Sequence, residues 1–67
     1  TAYQVAVRLL VGHSPDNLQT YYNEALKHPV VKADKGIVAK LLGGKLWEEA
    51  VAAGELILGE DGKLIAT

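Results

Sequence analysis

Residues 12–16 of the chain, Gly-His-Ser-Pro-Asp, mark the clearest boundary between two elements of secondary structure. Glycine commonly ends regular elements, Ser14 is a typical helix cap, and Pro15 suits the first position of a helix. A carboxylate at Asp16 is favourable near the positive end of the helix dipole. The sequence therefore predicts one element that ends near Gly12 and a helix that begins at residue 15.

The element before this boundary, residues 3–11 (YQVAVRLLV), fits two hydrophobic periods. Apolar residues at every second position, rich in β-branched types, are typical of a strand. A helix would also align apolar residues on one face, but it would leave Tyr3 and two valines in water. We therefore expect a strand, with Ala6 and Leu10 on its outer face.

The segment after the boundary has the pattern of an amphipathic helix. Its apolar residues fall at the spacing of one buried stripe: Leu18, Tyr21, Tyr22, Ala25 and Leu26. His28 precedes Pro29, and a residue before proline is disfavoured in helical conformation, so we expect the helix to stop there. Residues 30–32 then read as a short extended segment.

Glycines divide the rest of the chain into two helices and a hairpin. Asp34 can cap a helix that ends at residues 43–44 (Gly-Gly), and a third helix, 46–53, ends at Gly54. Two short apolar runs, 55–58 and 63–66, flank a four-residue loop bounded by glycines, which predicts a β-hairpin.

These elements predict an α+β fold in one small domain over residues 1–67. The fold class comprises an N-terminal strand, three helices and a C-terminal β-hairpin, with the helices covering one face of the sheet. The alternative is a mainly helical body that carries the hairpin as a wing.

From residue 15 onward the predicted order resembles a winged helix-turn-helix domain. Residues 37–43 (IVAKLLG) resemble the first helix of that motif, and residues 54–57 with 61–64 resemble its strand, wing and return strand. The resemblance implies nucleic-acid binding, with helix 45–53 in the major groove. However, this helix carries Glu48 and Glu49, and the wing carries two further acids, where such proteins usually present Lys and Arg to phosphate.

Composition limits the classes of protein to which the chain can belong. It has 67 residues, of which 49% are hydrophobic and 22% charged, as in a folded globular domain. It has no cysteine, so disulfides and thiolate chemistry are excluded, and a reducing, cytoplasmic location is expected. No apolar run approaches the ~20 residues of a membrane span. Because the sequence has no Met and no signal-peptide pattern, we expect a chain that has lost its first residue or was cut from a longer protein.

No set of residues has the pattern of a catalytic or ligand-binding motif. His13, Ser14 and Asp16 lie within four positions on one turn, where a catalytic triad cannot readily align. His13 and His28 lack a third ligand type nearby, and the Gly-Gly-Lys at 43–45 lacks the spacing of a phosphate-binding loop. The sequence predicts a protein that is not an enzyme, with no catalytic residues, metal site or cofactor.

Charge is distributed unevenly along the chain. Residues 27–45 carry five lysines against Asp34, a net charge of +4, whereas residues 46–67 carry a net charge of −4. Four lysines are the candidate residues for binding an anion or a partner: Lys32, Lys35, Lys40 and Lys45. Alternatively, these lysines pair with the acidic C-terminal segment across the fold.

The aromatic residues are candidates for an interface, because Tyr and Trp are enriched at such surfaces. They are Tyr3, Tyr21, Tyr22 and Trp47. Consecutive helical residues diverge, so we expect one of the two adjacent tyrosines at the core margin. The predicted function is a non-enzymatic binding or accessory module that acts through a protein partner or self-association, away from membranes. The alternative is a nucleic-acid-binding regulator that uses the Lys27–Lys45 segment.

Overall fold

The computed structural model describes residues 1–67 as five helices followed by a two-stranded hairpin. The elements are α1 (Ala2–Leu10), α2 (Leu18–Leu26), α3 (Pro29–Lys32), α4 (Lys35–Gly43), α5 (Lys45–Ala52), β1 (Leu56–Leu58) and β2 (Leu64–Ala66). The α+β class is confirmed, but the structure has two more helices than predicted and no N-terminal strand. We call residues 2–52 the helical body.

The predicted N-terminal strand is wrong, because residues 2–10 form α1. Thr1 and Gln4 begin the helix with reciprocal side-chain to backbone hydrogen bonds, a capping box. Ala2, Ala6 and Leu10 lie at helical spacing and are buried. Small alanines let other helices approach closely, whereas a strand at this position would have needed a hydrogen-bonded neighbour. Ala6 and Leu10 are therefore in the core and not on an outer face.

Helix α2 begins later than predicted, at Leu18. The Ser14 hydroxyl accepts a hydrogen bond from the Asp16 N–H, so it closes a local turn and does not cap the helix. Tyr21 and Ala25 are buried as expected, but Leu18 is exposed at the start of the helix.

Residues 29–32 form the short helix α3, which replaces the predicted extended segment. Pro29 occupies a first-turn position, where its missing N–H costs nothing, and Val31 is buried. The proline that stops α2 also starts α3.

The predictions for the next two helices are confirmed within one residue at their ends. The Asp34 carboxylate accepts a hydrogen bond from the Ile37 N–H at 3.1 Å and caps α4. Gly44, with φ 71°, separates α4 from α5, and Gly54, with φ 77°, follows α5. Left-handed backbone at these two points favours glycine.

The C-terminal hairpin is also confirmed, with a slightly longer loop of residues 59–63. Its strands are antiparallel, with Ile57 opposite Ile65. The outer edge of β2 is hydrogen-bonded to the body: the Gly12 N–H donates to the Leu64 carbonyl at 2.7 Å, and the Leu64 N–H donates to the His13 carbonyl at 2.9 Å.

One apolar core joins the helical body to the hairpin. Its twelve buried residues are Ala2, Ala6, Leu10, Tyr21, Ala25, Val31, Ile37, Leu41, Leu46, Ala50, Leu56 and Leu64. No helix is long and apolar enough to cross a membrane.

Candidate functional site

The four candidate lysines lie at helix ends and on the exposed side of α4. Lys32, Lys35 and Lys45 are exposed and form no ion pair. Lys40 Nζ lies 2.9 Å from Glu49 Oε2 of α5. The basic and acidic segments therefore meet at one point of the fold, between α4 and α5.

The candidate aromatic residues divide between core and margin. Tyr21 is only 1% exposed, so it belongs to the core and offers no interface. Its neighbour Tyr22 is half-buried, which confirms that one of the two tyrosines lies at the margin. Tyr3 and Trp47 are also half-buried against the core. Three of the four aromatic side chains thus reach the surface.

Tyr3 connects α1 to the base of the hairpin. A hydrogen bond with the Glu55 carboxylate, partial burial and the negative charges of Glu55 and Glu49 raise the pKa of Tyr3 to about 12. All three causes favour the neutral phenol. The Tyr3 phenol of α1 therefore lies near the Glu55 carboxylate, in the segment that leads into β1.

His13 lies beside Glu24 and Tyr21, a grouping that the sequence did not suggest. His13 Nε2 lies 2.9 Å from Glu24 Oε2, and its ring packs edge-on against Tyr21 with centroids 6.5 Å apart. The Tyr21 hydroxyl is buried without a hydrogen-bond partner, and burial raises the pKa of Tyr21. His13 and Glu24 are eleven residues apart, so no local pattern could have indicated this contact. The His13 carbonyl also accepts a hydrogen bond from the Leu64 N–H of β2. The position of His13 is therefore explained by its structural role in attaching the hairpin.

The outer face of the hairpin is apolar and open. Successive side chains of a strand point to opposite faces, so Ile57 and Ile65 point away from the core that Leu56 and Leu64 enter. Ile57 is 48% exposed and Ile65 46%. We call these two residues the hairpin patch. The sequence could have indicated this patch, because both strands are apolar at every position. The core can pack against only one face of a two-stranded sheet, so the apolar residues of the other face remain exposed.

Two depressions flank α1. The α1–α3 cleft has a volume of about 270 Å³ and is lined by Thr1, Gln4, Val5, Arg8, Leu9 and His28. The α1–hairpin groove, of about 320 Å³, shares Gln4 and Arg8 and adds Val7, Val11 and Glu55 among its lining residues. Neither was predicted, because each joins segments that are distant in sequence.

No three His, Asp or Glu side chains come together anywhere in the fold. No protein-family model matches the chain, and no curated protein or solved structure matches it either. A proposal for the function of this chain therefore rests on the geometry of its surfaces.

Proposed function

We propose that this chain is a non-enzymatic cytoplasmic binding module that self-associates through the hairpin patch. The observation that carries this proposal is the cross-strand pair Ile57 and Ile65, which is half exposed on the face turned away from the core. Adjacent apolar side chains on a surface favour contact with another apolar surface, since their association removes apolar area from water.

A second copy of the chain is the occupant that best fits this patch. Ile57 and Ile65 lie directly opposite each other, so two patches can meet about a two-fold axis with the same residues on both sides. Acidic residues flank the patch at Glu55 and in the loop at Glu60 and Asp61, and they are exposed. An apolar centre with a charged rim is the usual arrangement of a protein interface.

The size of the patch predicts weak association. A standard interface buries about 800 Å² on each partner. The whole chain exposes 4194 Å², so such an interface would cover about a fifth of it. Two half-exposed side chains supply only part of that area, and we expect dimers in the high micromolar range.

Sedimentation velocity at rising protein concentration tests the proposal. The unmodified chain should shift toward a dimer, and Ile65→Lys should remain monomeric because two facing lysines would repel. Leu42→Lys is the matched control, since Leu42 on α4 is 60% exposed but lies outside the patch. Circular dichroism checks that both variants fold. A monomer at all concentrations, or equal loss of association in both variants, would reject the patch as the contact.

The second candidate function is nucleic-acid binding, and it rests on the order α4, α5, hairpin together with the exposed lysines. Against it, the exposed residues of α5 include Glu48 and Glu49, and Glu49 already engages Lys40. The dependence of duplex DNA binding on salt separates the two functions. Each phosphate contact adds about one unit to the slope of log K against log salt concentration, whereas a protein-binding module gives no DNA complex to titrate.

A further inference from the structure

The α1–α3 cleft combines an apolar floor with positively charged and hydrogen-bonding walls. Val5 and Leu9 are one helical turn apart on α1 and form the floor. Gln4 and Arg8, also one turn apart, line the same side, and His28 lines the cleft from the start of α3. Thr1 completes the lining.

No negative group lines this cleft. Arg8 and His28 take part in no ion pair, and His28 is preceded in the chain by the exposed Lys27. The neighbouring α1–hairpin groove shares Arg8 but contains the carboxylate of Glu55. An anion is therefore favoured in the α1–α3 cleft over the groove.

We propose that the α1–α3 cleft binds a small organic carboxylate whose short alkyl chain lies on Val5 and Leu9. Arg8 can donate two parallel hydrogen bonds to a carboxylate, the arrangement that a planar guanidinium favours. Arg8 is the one permanently charged side chain in the lining, which matches a single negative charge better than a phosphate dianion. The volume of about 270 Å³ is at the small end of ligand pockets and suits a head group with a few carbons.

The proposal is independent of the hairpin patch, because the two surfaces share no residue. A ligand in the cleft touches α1 and α3, whereas self-association involves β1 and β2. Each proposal can therefore fail without the other.

An NMR titration with hexanoate tests the cleft. We expect saturable shifts centred on Val5, Leu9 and His28 in the unmodified chain. Arg8→Gln should weaken binding about tenfold, since it removes a charge-assisted contact. His28→Gln should weaken it less, and Lys35→Gln, which removes the same charge outside the cleft, should change it less than twofold.

Hexanol and inorganic phosphate are the control ligands. Hexanol carries the alkyl chain without the carboxylate, and phosphate is an anion without an alkyl chain. Hexanol should give no saturable shifts in the cleft, and phosphate should bind more weakly than hexanoate. The proposal is overturned by a lack of saturable hexanoate binding, by equal binding of hexanol or phosphate, or by equal effects of Arg8→Gln and Lys35→Gln. Shifts centred on Val7 and Val11 would place the ligand in the groove and overturn it as well. All three glutamine variants replace exposed side chains, and circular dichroism verifies that they fold.

Discussion

The helical body and the hairpin are held in the fold by very different amounts of buried surface. Ten of the twelve core residues belong to the body, and the hairpin contributes only Leu56 and Leu64. Burial of apolar area is the main favourable term in folding, so the body is stabilised by its own interior. The hairpin instead depends on a few attachments to the body.

Those attachments can be named individually. Leu56 and Leu64 enter the core, the backbone of residues 12–13 hydrogen-bonds to Leu64, and Tyr3 interacts with Glu55 at the hairpin base. Segments with few buried contacts open at lower free energy than the rest of a fold. The hairpin, which carries the proposed contact surface, is therefore the part of this chain that detaches most easily from the helical body.

The largest expected effect comes from truncating one core leucine in each region. Leu10→Ala and Leu64→Ala should each cost about 2–5 kcal/mol, because both side chains are fully buried. A chain of 67 residues has a total stability of about 3–10 kcal/mol, so Leu10→Ala should destabilise the whole fold. Leu64→Ala should release mainly the hairpin. Denaturant titration and amide hydrogen exchange measure the two responses.

Val11→Ala provides the control for this pair, since Val11 is exposed and its truncation should cost less than about 0.5 kcal/mol. If Leu64→Ala removed protection from the amides of α2 and α4 as completely as from those of the hairpin, the two regions would be one cooperative unit.

A smaller effect, of opposite sign, is expected from Tyr21→Phe in the body. The Tyr21 hydroxyl is buried without a hydrogen-bond partner, and such a group costs about 1–3 kcal/mol. Removing it should raise the free energy of unfolding by about 1 kcal/mol. Thermal or denaturant unfolding measures the change, with Tyr22→Phe at the half-buried neighbour as the control. A loss of stability in Tyr21→Phe would contradict this account of the core.

The smallest effect concerns the attachment at Tyr3 and is confined to alkaline pH. The pKa of Tyr3 is raised from 10.0 to about 12 in the folded chain, so the folded state holds this proton more tightly than the unfolded state. The stability from this group is complete below pH 10 and is lost as the pH rises toward 12. Tyr3→Phe has no phenol to ionise, so this variant should not show this part of the loss of stability at alkaline pH.

Glu55→Gln tests the cause of the raised pKa, because it removes the negative charge that disfavours the phenolate. The pKa of Tyr3, followed by NMR of its ring protons, should then move down toward 10.0. An unchanged pKa would show that Glu55 does not tie Tyr3 to the hairpin base.

Local signals were sufficient for the second half of the chain. Asp34, Gly44 and Gly54 act through their own backbone and nearest neighbours, and they placed α4, α5 and the hairpin correctly. The opposite case is α1, where two hydrophobic periods coexist in the same residues. Propensity and periodicity could not decide between them, because that choice depends on which segments surround the element.

The candidate surfaces were predicted only in part for the same reason. The sequence indicated the lysines and the aromatic residues, since residue type and charge are local properties. It indicated pairing of the lysines with the acidic segment as an alternative, without singling out Lys40 and Glu49. It did not indicate the contact of His13 with Glu24, nor the cleft between Arg8 and His28. Each of these joins residues from different elements.

The amino-acid sequence alone therefore determined the boundaries at Asp34, Gly44 and Gly54, the α+β class, and the separation of basic and acidic segments. Only the tertiary structure decided that α1 is a helix with Ala6 and Leu10 inside, and that Ile57 and Ile65 are outside. The physical reason is that caps and turns depend on interactions within a few residues, whereas burial depends on which distant surfaces meet.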